Sequence, residues 1–178
     1  MNDAALAELL DKQAITETLA LYCRAMDRID RELTLSVWSP GGTCNYSSTA
    51  GVPDMPIVDY LAGSTKARQS FANHSHQIAN TLIRVKGDKA VSEAYFTASL
   101  QTYPVDGRVT EHLWRGRYLD RWSKRAGAWA IDHRQVVFDS YTPHEFAADL
   151  MRDKPLSLGR RDGDDPSYGH LGSLPVSP

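Results

Sequence analysis

The chain has 178 residues, 42% of them hydrophobic and 24% charged, with a formal net charge of -2. This size and balance describe one globular domain with a single core, and the lack of any long Lys/Arg run excludes an electrostatic footprint for nucleic acid or an anionic membrane. No stretch approaches the roughly 20 apolar residues that cross a bilayer.

Two cysteines, Cys23 and Cys44, stand in no metal-ligand or redox spacing. The start MNDAALAELLDKQ lacks the basic and apolar regions of a secretory signal, so a cytoplasmic protein with reduced thiols is expected. From Asp3 to Met26 apolar positions recur at helical intervals (Leu6, Leu9, Leu10, Ile15, Leu19, Tyr22, Cys23, Met26), which predicts an N-terminal helical segment with a break or cap near Asp11. Asp30 is a plausible N-cap for a second, short helix over RELTLSVW. A strand is expected around Thr43 to Tyr46, a loop over STAGVPDMP and a brief helix in IVDYLAGS.

Beyond His74 the hydrophobic period changes to two. Strands are expected at roughly 76–86, 89–103, 108–124 and 128–142, separated by turn signals at Gly87-Asp88, Pro104 to Gly107 and Arg125 to Gly127. Four long consecutive strands make an antiparallel meander, and helices followed by a meander define an α+β domain with helices over one sheet face. Strands this long must twist and bend, so a concave face enclosing a pocket is expected. The domain should span 1–152, ending in a helical piece over HEFAADLMRD. Residues 153–178, rich in Gly, Pro and charge, would be disordered, a lid or an intersubunit arm.

Asp27 is the first candidate for chemistry. Ile15, Leu19 and Cys23 form one helical stripe and Asp27 continues it, so the acid is either half of a buried pair or a surface group at a fraying helix end. His76 opens the first long strand on a face shared with Ile78, Asn80 and Leu82; oriented by a buried acid it would serve as a general base. Arg134 alternates with Val136 and Phe138, so it either bridges to an acid such as Asp132 or Glu111 or faces an anion. Tyr22, five residues before Asp27, is a core residue or a hydrogen-bond donor bordering the same cavity. His74 and His76, with His112 or His133, could in principle bind a metal, but no acidic second shell stands at fixed spacing, and no metal is expected. Nucleotide-binding and nucleophile-elbow motifs are absent.

The helix LYCRAMDRID, the strand HSHQIANTLIRV and the hairpin GRYLDRWSKRAGAWAIDHRQVVFDSY together resemble the SnoaL-like branch of the nuclear-transport-factor-2-like superfamily, over about Leu9 to Tyr141. The resemblance implies a cone of α+β structure around a deep pocket. In motif the chain is similar to the superfamily's lyases: scytalone dehydratases, bile-acid 7α-dehydratases and hexachlorocyclohexane dehydrochlorinases. These pair an Asp near the end of the first helix with a His at a strand start, positions held here by Asp27 and His76. The bile-acid enzymes also imply roles for Tyr22 and Arg134.

The resulting expectation is a cofactor-independent lyase carrying out a dehydratase-type elimination. Asp27 would orient His76 as base or acid, and Tyr22 and Arg134 would stabilise negative charge. Trp114, Tyr118, Phe138 and Phe96, with Asn80, would bind a small aromatic or polycyclic substrate. Rival readings are a carbon–carbon lyase releasing formaldehyde from a lignin-type alcohol, an enone isomerase, a ligand-binding protein, and a non-catalytic small subunit of a ring-hydroxylating dioxygenase. A homo-oligomer, preferably a trimer, is implied by the resemblance alone.

Overall fold

The computed structural model describes residues 3–47, 53–148 and 155–173. In chain order its elements are α1 (Asp3–Arg28), α2 (Arg31–Ser36), β1 (Trp38–Asn45), β2 (Met55–Pro56), α3 (Ile57–Gln69), β3 (Phe71–Lys86), β4 (Lys89–Thr102), β5 (Arg108–Arg125), β6 (Ala128–Ala147) and α4 (Pro166–Gly172). The strands make one open six-stranded sheet in the order β2-β1-β6-β5-β4-β3, with β1 parallel to β6 and every other pair antiparallel. Helix α1 packs against β3 and β6. This is the expected α+β cone.

Helix α1 runs without a break through Asp11. That carboxylate is a tertiary anchor, its Oδ1 accepting from Lys124 Nζ at 2.8 Å and from Trp129 Nε1 at 2.9 Å, both on the β5–β6 hairpin. Only the second half of α1 reaches the core: Ile15, Leu19, Tyr22, Cys23 and Met26 are buried, whereas Leu6, Leu9 and Leu10 are 43, 54 and 60% exposed. Asp30 caps α2 as expected, its Oδ1 accepting from the Leu33 amide at 2.9 Å.

Two departures from the sequence reading have clear causes. The helical piece expected after Pro143 is instead strand through Ala147, because β5 begins at Arg108 and its opening residues pair in register from Arg108↔Ala147 to Leu113↔Thr142. Pro143 is tolerated there because, among the described residues, β1 flanks β6 only as far as Gln135 and β6 is a sheet edge beyond it. The remainder of that piece, residues 149–153, lies outside the described residues. The second departure is a bulge in β3. Ala79 pairs with Tyr95 but Leu82 with Glu93, and Asn80 adopts φ 46°. One extra residue reverses the inward parity, so His74, His76 and Ile78 face the helices before it while Ile83 and Val85 join the core after it. Asn80 is exposed and Leu82 is 69% exposed.

At one end of the cone the large side chains Trp122, Ile131, Ile15 and Leu19 close the core completely. Toward the other end the inward face of β4 carries Ala94, Phe96 and Ala98, and small residues there leave room. Gly116 on β5 belongs to this arrangement: a Cβ would collide with the Val137 carbonyl and lie 2.9 Å from the Phe96 ring. The tail residues 155–173 fold back on their own chain. Arg161 donates to the Phe71 and Arg68 carbonyls, Arg28 meets Asp165 at 3.3 Å, and the Tyr168 hydroxyl donates to Asp30 Oδ2 at 3.1 Å.

Candidate active site

A cavity of about 390 Å³ opens between α1, α3 and the sheet. Helix α1 contributes Tyr22 and Met26, the end of β1 is followed by Tyr46, and α3 contributes Tyr60 and Arg68. The sheet adds His74 and His76 from β3, Phe96, Ala98 and Leu100 from β4, Trp114 and Tyr118 from β5, and Val136 and Phe138 from β6. The volume suits a small aromatic molecule. The four aromatic residues named from sequence all line it, with Phe96 stacked on Tyr118 at 4.4 Å and Trp114 edge-on to Phe138 at 5.4 Å.

Asp27 and His76 meet. Asp27 Oδ1 lies 2.5 Å from His76 Nδ1, and the His76 backbone amide donates to both carboxylate oxygens at 3.0 and 3.1 Å. The side chains are only 19 and 11% exposed. An ionised carboxylate can only accept, so this contact favours the tautomer with the proton on Nδ1, which leaves the Nε2 lone pair free on a ring that lines the cavity. The helix stripe explains the pairing: α1 lies along the start of β3, and the last turn of its buried face falls beside His76.

Tyr22 is buried, and its hydroxyl meets that of Tyr46 at 2.5 Å. Tyr46 stacks on Tyr60 with centroids 4.1 Å apart. Burial pushes the Tyr22 phenol up, the Arg134 charge pulling partly back, and burial likewise raises Tyr46 well above the ordinary tyrosine value. Both phenols therefore stay protonated at neutral pH and can share a donor with an oxygen in the cavity.

Arg134 does not line the cavity, which corrects one expectation. Its Nε and Nη2 donate to Asp120 Oδ1 and Oδ2, both at 2.7 Å, and both side chains are fully buried. The guanidinium lies 4.1 Å from the Tyr22 ring centroid and 3.9 Å from that of Tyr118. Burial opposes its charge, but Asp120 outweighs burial and holds Arg134 well above the usual arginine value. The bridging acid is Asp120, one strand over, and not Asp132 or Glu111. Asp132 instead accepts from Ser39 and Ser123, both at 2.6 Å, and Glu111 from Ser99. Asn80 is likewise separated from the site, since the bulge turns it toward a different surface depression with Tyr95 and Arg115.

Four cavity residues, Tyr46, Tyr60, Arg68 and His74, carry polar groups that the sequence reading did not assign to it. Tyr46 ends the alternation begun at Cys44. Arg68 continues the α3 stripe of Ile57, Leu61 and Ser64, the same signal that marks Asp27 on α1, but the short helix expected there stops before it. His74 shares its strand face with His76 and is buried. Among the described residues no group of three or more His, Cys, Asp or Glu is placed to hold a metal ion.

His74 gives a pH signature. Among the described residues neither ring nitrogen has a well-aligned hydrogen-bond partner. Burial, with the Arg161 and His76 charges, pushes it down from 6.5 to about 4, while the Met26 carbonyl and Asp27 pull weakly upward. The unfolded chain binds a proton near pH 6.5 that the folded protein refuses until about pH 4, so this contribution is fully present above about 6.5 and is lost as pH falls to about 4. Thermal unfolding midpoints should fall across that window, and His74→Asn should flatten the fall. An identical slope in the variant would contradict the assignment.

An open α+β cone of helices over a curved six-stranded sheet is the architecture of the nuclear-transport-factor-2-like superfamily. Within it the chain belongs to the SnoaL-like family, residues 7–135 matching the SnoaL-like domain. Among curated proteins none matches the sequence. Solved structures share the fold. The Kfla4162 protein of Kribbella flavida is 20% identical, with a TM-score of 0.67 over 76% of this chain and 95% of its own. A scytalone dehydratase candidate from Novosphingobium aromaticivorans is 18% identical, with a TM-score of 0.66 over 76% of this chain and 88% of its own. The type 3 LinA hexachlorocyclohexane dehydrochlorinase of Novosphingobium barchaimii is 16% identical, with a TM-score of 0.65 over 79% of this chain and 94% of its own. No helix among the described residues is long and apolar enough to cross a membrane.

Proposed function

We propose that the protein is a cofactor-independent lyase that eliminates water, or a comparable small leaving group, from a small aromatic or polycyclic substrate. The observation that carries this reading is the 2.5 Å contact between Asp27 and His76 Nδ1 at the wall of an aromatic cavity. His76 Nε2 takes a proton from the carbon next to an activating group, the electron pair of that C–H bond becomes the new double bond, and the C–O bond breaks. The proton then leaves with the departing oxygen as water. Asp27 holds the ring in the productive tautomer and stabilises the imidazolium formed on the way. The Tyr22–Tyr46 pair donates to the oxygen on which negative charge develops, and Arg134 acts through Tyr22 as a positioning residue. Dehydratase and dehydrochlorinase names among the fold neighbours are consistent with this chemistry.

Release of formaldehyde from an aromatic alcohol, or isomerisation of an enone, would use the same pair, so the test is a mass screen of products. Hydroxylated aromatic ketones and alcohols are incubated with the protein and read by mass. Loss of water is expected. Loss of formaldehyde or an unchanged mass with a moved double bond would reassign the reaction. Ligands that occupy the cavity and return unaltered throughout would favour a binding protein. We further propose a homo-oligomer, preferably a trimer, with the exposed Leu6, Leu9 and Leu10 of α1 among its contact groups. A monomeric mass by light scattering would count against it.

A further inference from the structure

We propose that Arg68 is a carboxylate anchor, and that the substrate is an aromatic acid held by its carboxylate against α3 with its reacting carbon toward His76. Arg68 is 9% exposed and lines the cavity. Its guanidinium is under-used: Nη2 donates to Ser64 Oγ at 2.9 Å, Nη1 has only the Met26 thioether at 3.1 Å, and Nε has no partner among the described residues. No carboxylate among the described residues forms an ion pair with it. The contrast with Arg134 is chemical. Arg134, fully buried, has a bidentate Asp120, whereas Arg68, nearly as buried, has a hydroxyl and a sulfur, both weak answers to a full positive charge.

A buried guanidinium without a counter-ion is costly unless something in its working state supplies the charge. The planar two-oxygen group that matches its fork is a carboxylate. Nearby groups point the same way. Arg161 lies against the Arg68 backbone, donating to its carbonyl at 2.9 Å, so a second cation sits close by. The remaining wall is largely apolar, with Phe96, Trp114 and Phe138 able to take a ring. Arg68 and His76 line one cavity, so an acid bound by Arg68 places the rest of its skeleton within that enclosure. The naming of this substrate class rests on the proposed function of the same site.

The test is titration calorimetry on the full chain with benzoate, phenylacetate and cinnamate, each beside its neutral amide of the same shape. The wild type should bind at least one acid on the order of 10- to 100-fold more tightly than its amide, the range of a charge-assisted hydrogen-bonded pair. Arg68→Met should remove the preference, and Arg68→Lys, which keeps the charge but not the fork, should retain part of it. Equal binding of acid and amide, binding of neither, or an undiminished preference in Arg68→Met overturns the proposal. The wild-type comparison stands even if a variant fails to fold. His76-dependent turnover of neutral substrates with no acid preference would sink the anchor and leave the lyase. Arg68-dependent acid binding without turnover of any acid would do the reverse.

Discussion

Replacing His76 by Gln should lower turnover by about 10²–10⁴-fold, the usual contribution of a positioned general base, with the fold unchanged. Glutamine removes Nε2, the nitrogen that moves the proton, but leaves the local scaffold in place. Asp27 is also held by the residue 76 backbone amide at 3.0 and 3.1 Å, contacts that do not depend on the ring. Asp27→Asn should also be severely impaired, because an amide N–H facing Nδ1 selects the wrong tautomer. Circular dichroism and thermal unfolding establish that both variants are folded, and steady-state rates on the substrate found by mass screening give the effect. Activity of His76→Gln within a few-fold of wild type would remove the dyad from the chemistry.

Asp120→Ala should be the most destabilising single change in the packing behind the cavity wall. It strips the counter-charge from Arg134, whose guanidinium would remain fully buried between the Tyr22 and Tyr118 rings. Breaking one side of a buried pair costs about 3–5 kcal/mol, which for a chain of this length corresponds to a fall in Tm of roughly 6–20 °C. The double variant Asp120→Ala with Arg134→Met should regain much of the loss, since no uncompensated charge then remains. Equal midpoints for Asp120→Ala and wild type in a thermal melt would show that the pair contributes little. The same variants bear on function, because Arg134 underlies Tyr22 and displacement of that ring would disturb the hydroxyl contact with Tyr46.

The strands of the meander were legible because period-two alternation and turn residues are local signals. The Ala126-Gly127 turn, for instance, takes φ 48° and 85° and delivers β6 directly beside β5. What was not legible depended on neighbours distant in sequence. Asn80 follows the alternation that begins at His76, and only the pairing of β3 with β4 reveals the extra residue that expels it. Arg134 and Arg68 show the same limit from opposite sides. Both sit on apolar stripes, so both must be paired or face an anion, but strand register decides which. Asp120 is the register partner of Arg134, whereas Arg68 projects from a helix and has no ion pair with an acid among the described residues. Asp27 was legible because its stripe and the histidine at a strand start were both visible, and α1 brings them together.

The most direct test of the central claim is the nitrogen-15 NMR spectrum of the His76 ring at a pH where it is neutral. Proton attachment at Nδ1, with Nε2 bare, is the predicted result, since the Asp27 carboxylate 2.5 Å away can only accept. It would place the free lone pair on the nitrogen left to the cavity, as the proposed elimination requires. A proton on Nε2 with Nδ1 bare would contradict the account, because His76 would then have no base to offer the cavity and Asp27 would not be orienting it.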